Sequence, residues 1–331
     1  MAQNQVTSID VARFAGVSQP TVSRAFDPEA SVAPETRQRV LDAAKELGYQ
    51  PNVIARSLST QRTNIVGIVM SNLTDSAFYP NVLDVFTDRF QALGKQSLLF
   101  NAPPDRPVDD ILPRILGYRV DALVIVSTTP SNEIIDECTK KGTLVILFNS
   151  FAPDTNAISV CCDNVAGGSA VADLLLDTGH KRIAFLAGIA STATNKMREG
   201  GFVNRLNERG YTALIREQGA YTYDSGYAAM RRLLALNTPP DAAFCAADVM
   251  ALGAMDAARD AGLAVPDELS IVGFDDIPVA GWSAYKLTTF QQPIAQMVET
   301  AVSLITAPKF PTPKTHLLPG KLVMRTSVRQ P

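Results

Sequence analysis

Apolar and polar positions follow two different rhythms along this chain. Over residues 7–58 the apolar residues recur every three or four positions in short groups, each closed by a turn. From residue 62 onward, continuous apolar, β-branched runs take over: IVGIVM (65–70), SLLF (97–100), ALVIV (122–126), LVILF (144–148), ISVCC (158–162), RIAFLAG (182–188), AAFCA (242–246) and SIVGF (270–274). Stretches of helical period separate most of them, among them FYPNVLDVFTDRFQALG, NVAGGSAVADLLLDTG and DVMALGAMDAARDAG. These end near Gly94, Gly179 and Gly262, and a glycine just past the last turn takes the left-handed conformation that closes a helix. Runs that are apolar on both sides imply strands covered on both faces, hence a mostly parallel sheet with helices on either side. About ten strands exceed one compact sheet of this sort, so the pattern predicts two doubly wound α/β lobes with a ligand cleft at the carboxyl ends of the strands.

The first region reads as a three-helix head. Thr7-Ser8-Ile9-Asp10 has the form of a capping box and opens a helix to Ala15, with Ile9, Val11, Ala12 and Ala15 on its buried side. Gly16 makes a turn, and Ser18 is expected to cap a second helix by accepting a backbone N–H. Pro20 falls in the first turn, where it costs no helical bond. Val22 and Ala25 face inward, which leaves Gln19, Thr21, Ser23 and Arg24 outward. A third helix spans Pro34 to Leu47, with Val40, Leu41, Ala44 and Leu47 at helical spacing and Gly48 as its stop. Two short helices joined at a glycine turn and braced by a third form a helix-turn-helix unit, whose second helix suits a major groove. Glutamine can pair with adenine, threonine can touch a thymine methyl, and arginine can fork onto guanine or phosphate. A solvated helix in a small bundle fits the periodicity equally well. The stretch YQPNVIARSLSTQRTNIVG follows, with Pro51 opening a short helix that carries Ala55, Arg56 and Leu58. It reads either as a linker or as an arm whose apolar side chain wedges into a minor groove.

Composition narrows the class. The chain has 331 residues, 46% apolar and 19% charged, which fits two or three ordinary globular domains. No apolar run approaches the roughly 20 residues that cross a bilayer, and MAQNQVTSID lacks the features of a secretory signal. A cytoplasmic protein is expected. Cys138, Cys161, Cys162 and Cys245 form no C-x-x-C pair and are expected as buried thiols. His180 and His316 are far apart without further ligands at metal spacing, so neither metal nor cofactor is expected. Net charge is −3, and residues 1–62 carry seven basic and six acidic side chains. Bulk charge therefore does not call for nucleic acid, and only placement can. Polar residues at strand ends are the first ligand candidates: Ser71, Asn72, Asp75, Ser127, Thr128, Asn149, Asp163, Asp248, Asp275 and Asp276. Caps and turns use the same residue types, but a strand ending GFDD aims two carboxylates at one mouth.

With these segments in view, the chain resembles the lactose-repressor (LacI) family of transcription regulators over its full length. IDVARFAGVSQPTVSRAF is similar to that family's helix-turn-helix, and VAPETRQRVLDAAKELGYQPNVIARSL to its third helix and hinge. IVGIVMSN, FYP, VDALVIVS, GHKRIAFLAG, AADVMALGAMDAARDAGLAVPDELSIVGFDD and LTTFQQP follow its periplasmic-binding-protein-like core in order. The resemblance implies a DNA-binding domain over residues 1–50, a hinge helix and linker over 51–62, and an effector-binding, dimerising core over 63–331. It divides that core into a first lobe (about 63–162 plus 292–321) and a second (about 163–291 plus 322–331). It implies DNA contacts from Ser18, Gln19, Pro20, Thr21, Ser23, Arg24, Asn52, Ala55, Arg56 and Leu58, with Leu58 inserted at the operator centre. It implies effector contacts from Phe78, Tyr79, Ser127 or Thr128, Asn149, Lys196, Arg198, Ala247, Asp275 and Gln292, with Arg198 in the R-x-x-G-F context. Pro20 and Ala247 depart from members with polar residues there, and Ala33 stands where a capping serine is common. Lys196 beside Arg198 inclines the ligand toward a sugar acid or phosphate, although a surface lysine is the plainer reading.

The expected protein is a DNA-binding regulator, a repressor, controlled by a sugar, sugar acid or sugar phosphate bound between the lobes. KLVMRTSVRQP holds no leucine heptad, so a homodimer on a palindromic operator in double-stranded DNA is expected, with no membrane partner. An exported uptake protein would leave residues 1–60 without a purpose. An α/β enzyme is disfavoured because G-x-S-x-G, the P-loop pattern, G-x-G-x-x-G and H-E-x-x-H do not occur.

Overall fold

The structure is a computed structural model and describes residues 6–27, 30–50, 63–70, 78–102, 107–128, 130–152 and 157–330. It divides into two compact units, residues 1–64 and 65–331.

The first unit holds helices α1 (Ser8–Ala15), α2 (Gln19–Ala25) and α3 (Pro34–Leu47). Thr7 opens α1 with a full capping box, its side chain accepting from the Asp10 amide while the Asp10 carboxylate accepts from the Thr7 amide. Gly16 and Gly48 close α1 and α3 at φ 66°. The core is built of small side chains: Val11, Ala12, Ala15, Val22, Ala25, Val40, Ala43 and Ala44. Small side chains let three short helices approach closely, which such a minimal unit needs to exclude water. The Arg37 guanidinium donates to the carbonyls of Ala25, Asp27 and Ala30, each at 2.7 Å, and so ties the end of α2 to the start of α3.

Two expectations for this unit fail. Ile9 is 58% exposed and not part of the buried side, because its position on α1 points away from α2 and α3. Ser18 does stand at the N-cap of α2, but its side chain accepts no backbone N–H. Its hydroxyl pairs with the Thr21 hydroxyl at 2.8 Å instead.

The second unit contains two six-stranded sheets. The first runs β2-β1-β3-β4-β5-β11, from β1 (Ile65–Met70), β2 (Gln96–Asn101), β3 (Ala122–Val126), β4 (Leu144–Phe148), β5 (Ile158–Cys162) and β11 (Thr315–Leu318). The second runs β7-β6-β8-β9-β10-β12, from β6 (Ile183–Ala187), β7 (Ile215–Gln218), β8 (Ala242–Cys245), β9 (Ser270–Asp275), β10 (Thr288–Gln291) and β12 (Lys321–Val323). All pairings are parallel except β10 with β12. Both sheets repeat one order, in which the chain reverses direction beside the first strand of each half. In such sheets the crevice forms at the carboxyl ends, where the order switches. The eight apolar runs read from the sequence are strands. β7 escaped because its IREQ segment is an edge strand with alternating half-buried and exposed positions.

Helices cover the faces: α4 (Phe78–Ala92), α5 (Leu112–Leu116), α6 (Asn132–Lys140), α7 (Asn164–Asp177), α8 (Ala193–Glu208), α9 (Tyr223–Leu234), α10 (Asp248–Asp260) and α11 (Ile294–Thr306). Gly94, Gly179 and Gly262 take φ 67°, 76° and 77° as helix stops. One apolar cluster runs through both sheets, and a smaller one lies on the outer face of the first. The chain passes between sheets at residue 163, at 292–293 and at 319–320.

Candidate effector cleft and DNA-reading helix

At the carboxyl ends of the two sheets lies a cleft in two connected parts. The inner part, about 110 Å³, is lined among the described residues by Phe78, Tyr79, Ser127, Asn149, Ile189, Thr192, Thr194, Arg198, Ala220, Tyr221, Thr222, Ala247, Val249 and Asp275. The outer part, about 540 Å³, shares Ser127, Asn149, Thr192 and Thr194 with it and adds Thr128, Ser150, Phe151, Ser191, Ala193, Lys196 and Met197.

Arg198 anchors the inner part. It projects from α8, is 3% exposed, and each of its three nitrogens has one partner. Its Nε donates to the Asn164 side-chain oxygen at 2.8 Å, its Nη1 to the Ala246 carbonyl at 2.5 Å, and its Nη2 lies 3.4 Å from an Asp275 carboxylate oxygen. The guanidinium carbon stacks 3.8 Å over the Phe274 ring. Gly201, one turn on, lets α8 press against α7, since a side chain there would run into the Val165 backbone. This accounts for the R-x-x-G-F spacing: arginine to the cleft, glycine to the neighbouring helix, and Phe202 to the core.

Asp275 ends β9 and is itself 7% exposed. Gln292 donates to the same carboxylate at 2.7 Å. Burial pushes the Asp275 carboxyl well above the usual carboxylate range, against the opposing pull of Arg198. Asp248 is fully buried, accepting from the Ile277 amide at 2.9 Å and the Thr289 hydroxyl at 2.5 Å. Burial and the Asp275 charge raise it as well. Ser127, Asn149 and Asp275 end β3, β4 and β9 with φ of 58°, 52° and 123°. Non-glycine residues in this region carry strain of order 1–3 kcal/mol each and cluster where a site must aim its side chains.

The polar ring is completed by aromatics and hydroxyls. Tyr79 is raised above the usual tyrosine value by burial, and its hydroxyl bonds Ser127. Asn149 donates to the Ser127 hydroxyl at 3.3 Å, while its own side-chain oxygen is buried without a partner among the described residues. Tyr221 lies over Gly188, where any side chain would collide with its ring.

The cleft gathers Phe78, Tyr79, Ser127, Asn149, Arg198, Ala247 and Asp275 in its inner part, and Thr128 and Lys196 in its outer part. Gln292 stands behind Asp275 and does not line the cavity. Three strand-end acids serve structure. Asp163 caps α7, Asp248 lies beneath Asp275, and Asp276 holds Gln291 and Arg325. Ser71, Asn72 and Asp75 lie outside the described residues. Sequence reasoning missed Tyr221, Thr192 and Thr194. The last two follow β6 at a distance of several residues, and Tyr221 follows β7, the strand with the weakest apolar signal. All four cysteines are free and buried, and burial pushes Cys161 and Cys162 up to about 12, far from reactive.

On the head, Ser18, Gln19, Pro20, Ser23 and Arg24 are exposed on one short helix, and Thr21 is half-buried. Gln19 donates to the Ser8 hydroxyl at 3.3 Å. The expected hinge, with Asn52, Ala55, Arg56 and Leu58, lies outside the described residues.

A three-helix head with a polar second helix, ahead of a core of two parallel sheets enclosing a cleft, defines a helix-turn-helix protein with a periplasmic-binding-protein-like core. Residues 8–52 match the description "Bacterial regulatory proteins, lacI family", and residues 172–328 match "Periplasmic binding protein-like domain". The chain is 35% identical to the HTH-type transcriptional regulator GalS of Salmonella typhimurium strain LT2, over 98% of this chain and 96% of that one. It aligns with the lac repressor dimer bound to operator and the anti-inducer ONPF at TM-score 0.86 and 26% identity, covering 98% of this chain and 99% of that one. A transcriptional regulator CelR–cellobiose complex aligns at TM-score 0.70 and 30% identity, over 98% of this chain and all (100%) of that one. The chain belongs to the lacI family and is a helix-turn-helix transcriptional regulator. Among its described residues no helix is long and apolar enough to cross a membrane.

Proposed function

We propose that this chain represses transcription as a homodimer in the cytoplasm, reading a palindromic operator with α2 and releasing or tightening its hold when a sugar or sugar derivative fills the cleft. One observation carries the effector half of this reading: a buried arginine–carboxylate pair, Arg198 with Asp275, faces an open cavity between two sheets. A guanidinium and a carboxylate side by side offer a donor and an acceptor to the two hydroxyls of a vicinal diol. Tyr79, Phe78 and Tyr221 supply apolar faces for the ring's C–H surface. The lac repressor and CelR complexes, each with a small ligand, support the same use of the fold. The core acts by binding alone, without turnover of its ligand.

The DNA half rests on the exposed row Gln19, Ser23 and Arg24 on α2. Pro20 offers only apolar contact, so Gln19 and Arg24 carry most of the base reading. The two sheets and the cleft at their strand ends support this use of the site residues and a division of the core into two lobes. The test is selection of bound sequences from random duplexes by the full chain, followed by thermal melting with a panel of sugars, sugar acids and sugar phosphates. A palindromic consensus and a ligand that both raises the melting temperature and shifts operator affinity are expected. Binding that shows no preference for any symmetric site over bulk DNA refutes the reading.

A further inference from the structure

The two parts of the cleft differ in charge. In the inner part the Arg198 cation is matched by Asp275, and both are buried. The outer part holds the exposed Lys196, whose ammonium makes no ion pair or hydrogen bond among the described residues, and no acidic side chain among its described lining. Lys196 stands in the first turn of α8, a helix of 16 residues capped by Thr192. Thr192 takes the Asn195 amide with its hydroxyl and the Lys196 amide with its carbonyl, which leaves the Ala193 and Thr194 amides at the start of the helix, where negative charge is favoured. The Thr192 and Thr194 hydroxyls line both parts of the cleft. A helix start and a lysine alone would be an ordinary surface feature. The independent sign of an occupant is Asn149, 6% exposed, which lines both parts and has a buried side-chain oxygen without a partner. An unmet buried acceptor is unfavourable until a donor reaches it. A hydroxyl of a ligand that continues from the inner part to the outer would satisfy it.

Resting on the effector reading above, we infer that the ligand is a two-part molecule: a polyhydroxylated ring on Arg198 and Asp275, and an anionic substituent, phosphate or carboxylate, held by Lys196 and the start of α8. Asn149 takes a hydroxyl at the junction. The matched inner pair gives no net attraction for an anion, so charge selectivity comes from Lys196 and the helix start. Only there does the cleft present an unmatched cation among its described lining.

The test uses the full chain and titration calorimetry with matched probes: hexoses, pentoses and disaccharides, the corresponding sugar phosphates, and the corresponding aldonic and uronic acids. At least one anionic probe is expected to bind about ten- to hundred-fold tighter than its neutral parent, as for one charge-assisted contact, with an advantage that shrinks as salt rises. Whether the phosphate or the acid series shows the gain distinguishes the two anions. Lys196→Gln should bring the anionic probe down to the affinity of its neutral parent while leaving that parent's affinity and the melting temperature unchanged. Arg198→Ala should lose both. A neutral sugar that binds as tightly as every anionic counterpart, or an anion preference that survives Lys196→Gln, overturns this inference and leaves the effector reading standing. Failure of every probe, neutral and anionic, overturns both.

Discussion

Two neighbouring glycines on α8 should respond in opposite directions to the same added methyl. At Gly201 a Cβ would lie 2.8 Å from the Val165 carbonyl carbon and closer still to its oxygen. Carbon atoms pack at about 3.5–4.0 Å, so α8 must retreat from α7 by about 1 Å. The Arg198–Asn164 bond, 2.8 Å long, spans these two helices and breaks with such a shift. Overpacking costs about 1–3 kcal/mol, and the lost charge-assisted bond about 1.5–3 kcal/mol. Together they amount to roughly 2.5–6 kcal/mol, or a fall in melting temperature of roughly 5–25 °C for a core of this size. Effector affinity should fall with it, because Arg198 leaves its position beside Asp275. At Gly200 the Cβ meets nothing within 4 Å. Alanine there gains up to about 1 kcal/mol of helix propensity, a rise of about 2–4 °C. Thermal unfolding of the two variants and the parent, with calorimetric titration of effector, decides the matter. A Gly201→Ala protein that melts with the parent and binds effector normally would refute the claim that close packing of α7 on α8 sets the arginine in place.

Arg24→Ala is expected to weaken operator binding by about five- to hundred-fold, the 1–3 kcal/mol of a base or phosphate contact. The head's melting should not change, since Arg24 is exposed; fluorescence anisotropy at fixed salt checks this, and equal affinity removes α2 as the reader. Ala33 is the N-cap of α3 and makes no side-chain cap bond, so Ala33→Ser should stabilise the head by about 1 kcal/mol, and amide exchange in α3 no slower than in the parent refutes it. Effector affinity should decline as pH falls through about 6, the value to which burial raises Asp275. The protonated acid no longer offers a ligand hydroxyl a charged acceptor, so titrations at pH 5.5 and pH 8 should differ several-fold, and equal affinities exclude Asp275 from the contact.

The fold was readable wherever burial on both faces wrote itself as a continuous apolar run, as in ALVIV at β3 or SIVGF at β9. Edge strands leave no such mark. In IREQ at β7 the exposed positions carry arginine and glutamine, so the run looks like loop. The head was readable through its stops and caps, but a cap position does not dictate the cap bond. Ser18 has the right place and spends its hydroxyl on Thr21. In the cleft, residues directly at strand ends, Ser127, Asn149 and Asp275, were legible because parallel sheets bind at those ends. Thr192 and Tyr221 reach the cavity from loops, and Thr194 from the first turn of α8, placed there by packing around Gly188, and no local pattern encodes that. The same limit governs the aspartates. Asp248 and Asp275 look alike in sequence, and only the depth of the site makes one a support for the other.

The two charged residues of the inner cleft are each fastened to a different passage between the sheets. Arg198 donates to Asn164, the residue after the first passage, and Asp275 accepts from Gln292, which lies in the second. The first and third passages are joined to each other by the Asp163 amide donating to the Leu318 carbonyl at 2.8 Å. A ligand that draws Arg198 and Asp275 together therefore pulls on the segments about which the two sheets would turn. Differential contact with two arrangements is what lets a ligand shift an equilibrium between them. Gln292 is outside the cavity, so its replacement separates this coupling from binding. Gln292→Met keeps the length of the side chain and removes the bond to Asp275. Effector affinity is expected to stay within about fivefold of the parent, while the effector's influence on operator affinity drops from the usual range of about 5–150-fold toward none. Anisotropy titrations of operator with and without saturating effector measure that ratio directly. A variant that binds effector and retains the parent's full ratio would show that the passage at residue 292 does not transmit the ligand's pull.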